Sequence, residues 1–309
     1  MTDVDLATAD GQDRYVPSET RDITSAGHEG TYEWVAEHLV KEGMRVLDFG
    51  CGTGYGAALL ARAGASVDAV DGSPAAITYA TANYGGPNVR FVVADLMNPL
   101  PEPFTPRSYD LVASSEVLEH VVDPFAFVRA MADSVKDDGV CFVGTPNRVW
   151  SFEHAPGGHL LSPSHLMEFT LPALGELLRL TFVEVSLMVR VFPEGSMPFD
   201  VPPPTDGTPS PDQPQRPQWV RSSAALVRKV APEVVERIKR AVDSPQRLPD
   251  VAPVSAPAPR EWFASDIVWA PADDSSVNMS RAVGLAAVCR KPRRDGRGND
   301  HGTGPIPAI

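Results

Sequence analysis

The sequence predicts an α/β fold built on a doubly wound, mostly parallel sheet. Through the first half of the chain, short apolar segments with the length of buried strands alternate with segments rich in helix-forming residues. The first apolar segment, Met44–Phe49, is followed by glycine at positions 50, 52, 54 and 56, and then by helix-forming residues. A strand, a glycine loop and a helix in this order form the first unit of a nucleotide-binding sheet.

Five parallel strands are expected in the first half of the chain, with helices between them. The predicted strands are Met44–Phe49, Ser66–Asp71, Val89–Ala94, Tyr109–Ser114 and Gly139–Gly144. The predicted helices are Tyr55–Ala63, Pro74–Tyr84 and Pro124–Lys136. Proline suits the first turn of a helix, because the N–H that it lacks would make no intrahelical bond there. Right-handed crossovers bring the carboxyl ends of parallel strands to one rim, where the ligands of such sheets bind.

The order of elements changes after the fifth strand. We expect a loop that contains three histidines, then a helix at Leu171–Leu180 and a sixth strand at Phe182–Val191. The seventh strand, Ala282–Cys289, follows only after a long proline-rich segment. The sequence therefore predicts a seven-stranded sheet with a long insertion between its last two strands.

Composition limits the function classes. The formal net charge of −13 disfavours a nucleic-acid partner, because nucleic-acid-binding surfaces cluster Lys and Arg. No apolar segment approaches the roughly 18 residues of a membrane helix, and the first ten residues lack the apolar core of a secretory signal. Cys51, Cys141 and Cys289 are odd in number and far apart in sequence, which favours a reducing cytoplasm over a disulfide framework. No sequence feature sets the oligomeric state.

The spacing of the glycines indicates which ligand the loop binds. A dinucleotide-binding loop has the pattern G-x-G-x-x-G, which the alternate glycines here do not meet. Asp48, within the first strand, would repel a pyrophosphate but would suit a cationic ammonium or sulfonium group. The second strand ends at Asp71, where a carboxylate can accept hydrogen bonds from two ribose hydroxyls.

Four motifs in this order closely resemble those of the class I S-adenosyl-L-methionine (SAM)-dependent methyltransferases. They are the stretch VLDFGCGTGYG at 46–56, Asp71, the stretch FVVADL at 91–96, and the stretch YDLV at 109–112. The resemblance covers roughly residues 10–192 and the last strand. It implies a Rossmann-like fold, SAM as the cofactor and methyl transfer as the reaction.

The resemblance also implies a division of the chain. The segments are an N-terminal arm and helix over the cofactor (1–43), the SAM-binding core (44–192), a Pro-rich insertion with one helix and one strand (193–280), the last strand (281–292) and a disordered tail (293–309). Within the insertion, the helix is expected over Arg221–Val242 and the strand over Trp262–Trp269. The proline-rich stretches of the insertion favour extended, partly disordered spacers.

By the same resemblance, the glycine loop holds the methionine part of the cofactor, Asp71 the ribose, and Asp95 the adenine amine. The residues expected to contact the cofactor are Tyr15, Asp48, Gly50, Cys51, Gly52, Gly54, Asp71, Gly72, Asp95, Leu96 and Ser115. Tyr15 is expected there with His28, from an arm that resembles that of glycan and natural-product methyltransferases. Two alternatives remain open: either aspartate caps the next helix instead, or Tyr15 packs on the sheet instead.

The segment Glu116-Val117-Leu118-Glu119-His120, directly after the fourth strand, is the predicted catalytic turn. In a helical turn Glu116, Glu119 and His120 would share one face. Two carboxylates and an imidazole at the rim form a plausible half-site for Mg²⁺ or Mn²⁺. Without a metal, His120 would act as a base or contact the acceptor, or the three side chains would only brace the pocket.

This E-x-x-E-H turn, followed by Thr-Pro-Asn at 145–147, resembles two subfamilies. They are the ubiquinone-pathway O-methyltransferases and the small-RNA 2′-O-methyltransferases, in which the same turn and a later histidine bind a metal. The second resemblance makes His165 the first choice for a distal metal ligand, ahead of His154 and His159. The expected reaction is methylation of a small-molecule hydroxyl, in a sugar, glycan or natural product. Alternatives are a quinone-like phenol, an amine, an RNA 2′-hydroxyl, or a SAM-binding protein without chemistry.

Overall fold

A computed structural model describes residues 14–17, 23–98, 100, 104–154, 160, 162, 164–191, 268–273 and 282–294. The strands are β1 Arg45–Phe49, β2 Ser66–Asp71, β3 Val89–Val93, β4 Tyr109–Ser115, β5 Val135–Pro146, β6 Phe182–Val191, β7 Val268–Pro271 and β8 Ala282–Pro292. The helices in these ranges are α1 Ile23–Leu39, α2 Tyr55–Arg62, α3 Pro74–Tyr84, α4 Pro124–Ser134, α5 Arg148–His154 and α6 Leu171–Arg179.

The strands form one sheet in the order β3-β2-β1-β4-β5-β8-β6-β7. Strands β1 to β5 are parallel, β8 is antiparallel to both β5 and β6, and β7 is antiparallel to β6. The chain reverses its direction of winding between β1 and β4, and this opens a crevice at the carboxyl ends of the strands. The doubly wound sheet predicted from the sequence is thus confirmed, with one strand more than the predicted seven.

The eighth strand is β7, at the edge of the sheet. The strand predicted at Trp262–Trp269 overlaps it in only two residues, and residues 262–267 lie outside the described part of the chain. The helix predicted at 221–242, residues 1–13 of the arm and residues 295–309 of the tail also lie outside it.

Two element predictions in the second half of the core are wrong. Strand β5 begins at Val135 and not at Gly139, because Val135 pairs with Tyr109 of β4. For the same reason helix α4 ends at Ser134, two residues before the predicted end at Lys136. Residues 148–154 form helix α5 where the sequence predicts a loop. Asn147 begins this helix, since its side-chain oxygen accepts a hydrogen bond from the Val149 amide at 3.2 Å.

Helices cover both faces of the sheet. On one face, Phe127 of α4 packs on Phe49 of β1, and Leu174 of α6 belongs to the same buried cluster. On the other face, α1 and α2 contribute Val35 and Leu60 to a second buried cluster. Among the described residues, no helix is long and apolar enough to cross a membrane.

Two of the cysteines that are far apart in sequence are neighbours in the sheet. Cys141 of β5 lies directly opposite Cys289 of β8, and both are fully buried free thiols. Burial raises the pKa of both thiols above the ordinary value. Distance along the sequence was therefore a poor guide to the separation of these residues, because β8 inserts next to β5.

Candidate cofactor and acceptor site

The loop after β1 is shaped by glycines in the left-handed region of backbone space. Gly50, Gly52 and Gly54 have φ angles of +91°, +51° and +88°, which other residues rarely adopt. A Cβ on Gly50 would lie 2.6 Å from a methyl carbon of Val117, so the loop touches the turn after β4. A Cβ on Gly52 would meet no atom of the described residues within 4 Å. The backbone at Gly52 therefore faces open space, where a ligand can lie against it.

Asp71 joins the end of β2 to this loop. Its two carboxylate oxygens accept hydrogen bonds from the amides of Gly52 and Ser73, each at 2.9 Å. Helix α3 is capped by the Ser73 side chain, which accepts from the Ala76 amide. Because each carboxylate oxygen can accept more than one hydrogen bond, Asp71 retains capacity for ribose hydroxyls. Gly72, beside it, is exposed.

Asp95 lies next to Asp71 at the rim of the sheet, since the amide of Ala94 donates to the Asp71 carbonyl at 3.0 Å. The exposed Asp95 side chain accepts from the Met97 amide at 2.8 Å and from the Asn98 side chain at 2.7 Å. It therefore orders its own turn. Leu96 in this turn is half-buried against the core.

Asp48 lies within β1, directly before the glycine loop, and is fully buried. Its Oδ1 accepts a hydrogen bond from the hydroxyl of Tyr32 at 2.8 Å. Burial raises the pKa of Asp48 to about 7, the Tyr32 hydrogen bond opposes this, and the charge of Asp71 adds to it. Cys51 is buried as well, and burial raises the pKa of its thiol.

The N-terminal arm lies across the glycine loop at Tyr15. The hydroxyl of Thr53 donates to the Tyr15 carbonyl at 2.8 Å, which ties the arm to the loop. The Tyr15 ring stacks on His28 with a centroid distance of 4.8 Å, and its hydroxyl donates to Glu29 at 2.8 Å. Tyr15 and His28 are therefore brought together beside the loop.

The turn after β4 is not helical, so the prediction that Glu116 shares a helical face with Glu119 and His120 is wrong. Glu116 has a φ of +56°, and its amide donates to the carbonyl of Gly144 at 3.0 Å. Its side chain forms an ion pair with Arg190 of β6 at 3.2 Å. Burial alone would raise the pKa of Glu116, but Arg190 and three neighbouring histidines outweigh it and lower the pKa.

Glu119 and His120 lie at the centre of the turn. Glu119 is fully buried, and its Oε2 accepts a hydrogen bond from the hydroxyl of Thr145 at 2.9 Å. Its Oε1 is 3.9 Å from His120 Nε2 and has no hydrogen-bond partner among the described residues. Burial raises the pKa of Glu119 well above its usual value, and the charge of Glu116 adds to this. His120 Nδ1 lies 3.2 Å from the carbonyl of Ser164.

His165 is the distal histidine that the fold brings to this turn. The amides of Leu166 and Met167 donate to the Glu119 carbonyl at 2.8 and 3.2 Å, which fixes the His165 segment in place. The His165 and His120 rings meet edge to face with centroids 4.8 Å apart. His159 and the side chain of His154 lie outside the described part of the structure.

These contacts test whether a metal ion fits. One candidate ligand atom from each of Glu119, His120 and His165 lies within 4.8 Å of the other two, and a buried carboxylate oxygen faces the imidazoles. The donor set suits a divalent metal ion. Glu116 is not part of this set, because it pairs with Arg190. Ser115 lies at the end of β4, beside the turn.

Three residues of the site were missed by the sequence interpretation: Tyr32, Arg190 and Glu168. Tyr32 and Arg190 reach the site from elements distant in sequence, so no local pattern marks them. Glu168 accepts from His165 Nδ1 at 2.7 Å, and its spacing of three residues from that histidine was the available signal.

A family model described as a methyltransferase domain matches residues 31–181. A ubiquinone biosynthesis O-methyltransferase of Xanthomonas euvesicatoria is 39% identical over 38% of this chain and 48% of its own length. A protein of Mycolicibacterium smegmatis, named a probable S-adenosylmethionine-dependent methyltransferase, is 34% identical over 53% of this chain and 61% of its own length. A solved S-adenosylmethionine-dependent methyltransferase from Mesorhizobium loti is 27% identical with a TM-score of 0.35, over 42% of this chain and 58% of that chain.

The chain thus spans about half to three fifths of the length of these curated relatives. The matched residues include the glycine loop, Asp71, Asp95 and the turn after β4. The sheet order around them is that of a doubly wound nucleotide-binding fold. Residues 31–181 of the chain therefore form a domain of the SAM-dependent methyltransferase family, whose cofactor is SAM.

Proposed function

We propose that the chain transfers the methyl group of SAM to a hydroxyl of a small molecule. The observation that carries this proposal is the contact between the glycine loop and the turn that bears Glu119 and His120. Val117 of that turn packs against Gly50, so the predicted cofactor loop and the predicted acceptor-side residues lie next to each other. A transfer reaction needs this proximity between donor and acceptor sites, because orientation supplies much of its rate.

The cofactor supplies a positively charged sulfonium whose methyl group an acceptor oxygen displaces. Asp71 would bind the ribose, while the exposed Asp95 and the amide of Leu96 would take the adenine. Asp48 would provide a negative charge beneath the glycine loop that matches the sulfonium. Tyr15 and His28 of the arm would close over the methionine part.

His120 is the proposed base. Its Nδ1 lies at hydrogen-bonding distance from the Ser164 carbonyl, which assigns the proton to Nδ1 and the lone pair to Nε2. In the proposed step, the acceptor oxygen bonds to the methyl carbon as the carbon–sulfur bond breaks. The sulfur keeps the electron pair, and the hydroxyl proton passes to His120 Nε2.

A sugar, glycan or natural-product hydroxyl is the first choice of acceptor. The net charge of −13 supports an uncharged or cationic small molecule over RNA, since RNA binding requires clustered Lys and Arg. A quinone-like phenol is the second choice, and the similarity to proteins named ubiquinone biosynthesis O-methyltransferases supports it. Phenols ionise more readily than sugar hydroxyls and would need less help from His120.

The test is turnover of SAM by the purified chain with separate panels of sugars, phenols, amines and short RNA. Formation of S-adenosylhomocysteine (SAH) is followed, and the methylated product is identified by mass spectrometry. We expect turnover with a hydroxyl acceptor and none with RNA. SAH binding without turnover on any panel or with fractionated extract would instead support a non-catalytic SAM-binding protein.

The variant His120→Asn tests the proposed base. We expect kcat to fall by about 10²-fold or more, with SAH affinity unchanged, because the base acts only on the acceptor proton. His38→Gln is the matched control, since His38 is exposed on α1 and stacks on Trp34. Equal kcat for wild type and His120→Asn, on a sugar acceptor, would rule out His120 as the base.

A further inference from the structure

We propose that Arg190 is a positioning residue for methyl transfer, which holds the first turns of arm helix α1 against the turn after β4. Its Nη1 donates to the carbonyl of Gly27 at 3.2 Å and to the hydroxyl oxygen of Thr31 at 3.1 Å, both on α1. The same nitrogen lies 3.2 Å from Oε1 of Glu116, which belongs to the turn. One guanidinium therefore joins two elements that are distant in sequence.

Each of these two elements carries residues that the proposed reaction uses. His28 of α1 stacks on Tyr15 beside the glycine loop. Glu116 begins the turn that carries His120, the proposed base. Against the effect of burial, Arg190 and then His28 lower the pKa of Glu116, so His28 lies near the carboxylate that Arg190 binds. The contact therefore sets the arm that covers the cofactor relative to the base.

The side chain of Arg190 is held by the strands on both sides of it. Its paired residues in the sheet are Gly284 of β8 and Trp269 of β7. A Cβ at Gly284 would lie 2.8 Å from Arg190 Nε, so the glycine leaves the space that the side chain occupies. Arg190 Cζ lies 5.8 Å from the centroid of the Trp269 ring, a cation–π contact. A side chain that is held in this way can fix the geometry of a site.

The backbone of Glu116 also points to a function for this contact. Its φ of +56° is strained for a residue other than glycine. Such strain persists only where the surrounding structure holds it, and it is concentrated at active sites. Here the carbonyl of Gly144 accepts the Glu116 amide at 3.0 Å, and Arg190 binds the side chain. The strained turn is thus held by both its backbone and its side chain.

This inference rests on the proposed function, because it concerns the rate of the transfer step. In that step the acceptor oxygen, the methyl carbon and the sulfur must align, and a misplacement of about 1 Å can cost about 10²-fold in rate. If Arg190 loses its hold on α1, the glycine loop and Asp71 remain to bind the cofactor. We therefore expect kcat to fall while the affinity for SAH stays unchanged.

Two variants of Thr31 test the contact with α1. Thr31 is fully buried, and its hydroxyl accepts from Arg190 and donates to the Gly27 carbonyl at 2.8 Å. Thr31→Val keeps the shape of the side chain but removes the hydroxyl, so kcat should fall by about tenfold. Thr31→Ser loses a methyl group but keeps the hydroxyl, so it should retain the wild-type kcat.

The variant Gly284→Ala tests the position of the guanidinium itself. The added Cβ should displace the Arg190 side chain without removing any polar group, and we expect kcat to fall by about tenfold. Gly86→Ala is the matched control, because a Cβ there would meet no atom of the described residues within 4 Å. Turnover is measured with the acceptor that the panels identify, and calorimetry with SAH shows that each variant is folded and binds the cofactor.

Hydrogen exchange in the SAH complexes gives a second measurement that needs no acceptor. The first turns of α1 should exchange faster in Thr31→Val and Gly284→Ala than in the wild type, Thr31→Ser and Gly86→Ala.

Three results would overturn the positioning role: wild-type kcat in Thr31→Val and Gly284→Ala, wild-type exchange of α1 in both, or equal losses of kcat in Thr31→Val and Thr31→Ser. The last result would mean that packing matters and the hydrogen bond does not. Failure of the proposed function looks different, because the wild type itself would then form no SAH with any acceptor, and this inference would fail with it.

Discussion

At the scale of single residues, Asp48 is the group that we propose to match the charge of the cofactor's sulfonium. The carboxyl group is fully buried beneath the glycine loop, and Tyr32 supplies one hydrogen bond. Burial raises its pKa to about 7, so the group is largely neutral in the empty site at mildly acidic pH. A sulfonium nearby would favour the ionised form, because opposite charges attract strongly in a poorly solvated site.

This linkage predicts that SAM affinity depends on pH. Between about pH 6 and pH 8 the affinity for SAM should rise by up to about tenfold, because the carboxyl with a pKa near 7 becomes ionised. The affinity for SAH, whose sulfur is neutral, should change much less. Both dissociation constants can be measured by calorimetry across this range.

The variant Asp48→Asn is the control for this effect. An asparagine keeps the size and the acceptor oxygen for Tyr32, but it cannot ionise. SAM affinity in the variant should therefore be lower at pH 8 and should lose its pH dependence. Parallel pH profiles for SAM and SAH in the wild type would exclude recognition of the sulfonium by Asp48 and would leave the α-ammonium, which both molecules carry, as its partner. Affinities that do not change with pH for either molecule would exclude Asp48 as the source of charge recognition.

The residue scale also shows where sequence interpretation stops. The glycines and the acids at the ends of β2 and β3 could be predicted because they occupy fixed positions relative to strands. The left-handed backbone of Glu116 could not, since glutamate rarely has φ above zero and no local pattern marks it. That one torsion separates Glu116 from Glu119 and directs it to Arg190.

At the scale of elements, Arg190 connects three parts of the fold. Its Nη1 lies 3.2 Å from the Gly27 carbonyl, 3.1 Å from the Thr31 hydroxyl and 3.2 Å from Glu116 Oε1. Arm helix α1, strand β6 and the turn after β4 therefore meet at one guanidinium. Its side chain is 11% exposed, so solvent screens this ion pair weakly.

The variant Arg190→Met should reduce the free energy of unfolding by about 3 kcal/mol at neutral pH, because it removes the guanidinium that pairs with the mostly buried carboxylate of Glu116. The loss should shrink at low pH: the ion pair lowers the folded-state pKa of Glu116, and its stabilisation disappears as pH falls through that pKa. Urea unfolding at several pH values measures both effects.

The double variant Arg190→Met with Glu116→Gln is the control for this pair. Removing the unpaired charge should recover much of the lost stability. The loss of unfolding free energy in the double variant could instead equal the sum of the losses in the two single variants. Arg190 would then act through its packing on Trp269 and Gly284 and not through the ion pair. Arg190→Lys should recover only part of the stability, because lysine lacks the planar fork.

Elements were predicted well where propensity and tertiary context agree. Helix α3 and strand β2 have the predicted limits, since Pro74 begins the helix and Asp71 ends the strand. Helix α5 was missed because its beginning depends on Asn147, whose side chain also donates to Ala282 of β8. That contact spans 135 residues of sequence, and no local pattern contains it.

At the scale of the whole molecule, the sheet explains how a long insertion can be accommodated. Strand β6 runs parallel to β5, because both are antiparallel to β8. The carboxyl end of β6 therefore lies on the rim that carries the glycine loop and the turn after β4. The described part of the chain stops at Val191 on this rim and resumes at Val268, so residues 192–267 are attached there.

Val191 and Val268 are paired partners in the antiparallel β6–β7 ladder, so the two ends of residues 192–267 are adjacent. Replacing this segment by a short Asn-Gly turn should therefore close a β-hairpin without disturbing the sheet. We expect the shortened chain to keep its fold and its SAH affinity, because all the residues proposed to bind the cofactor lie outside the segment. A shorter loop also lowers the entropic cost of closure.

The same deletion tests whether residues 192–267 contribute to acceptor binding, as their attachment to the rim that carries the glycine loop suggests. If it does, KM for the acceptor should rise by about tenfold or more while SAH affinity is unchanged, since an acceptor contact of about 1.4 kcal/mol is lost. A deletion of residues 295–309 is the matched control for a shortened chain. Unchanged KM in the hairpin variant would assign acceptor recognition to the domain itself, through Tyr15, His28 and the His165 segment.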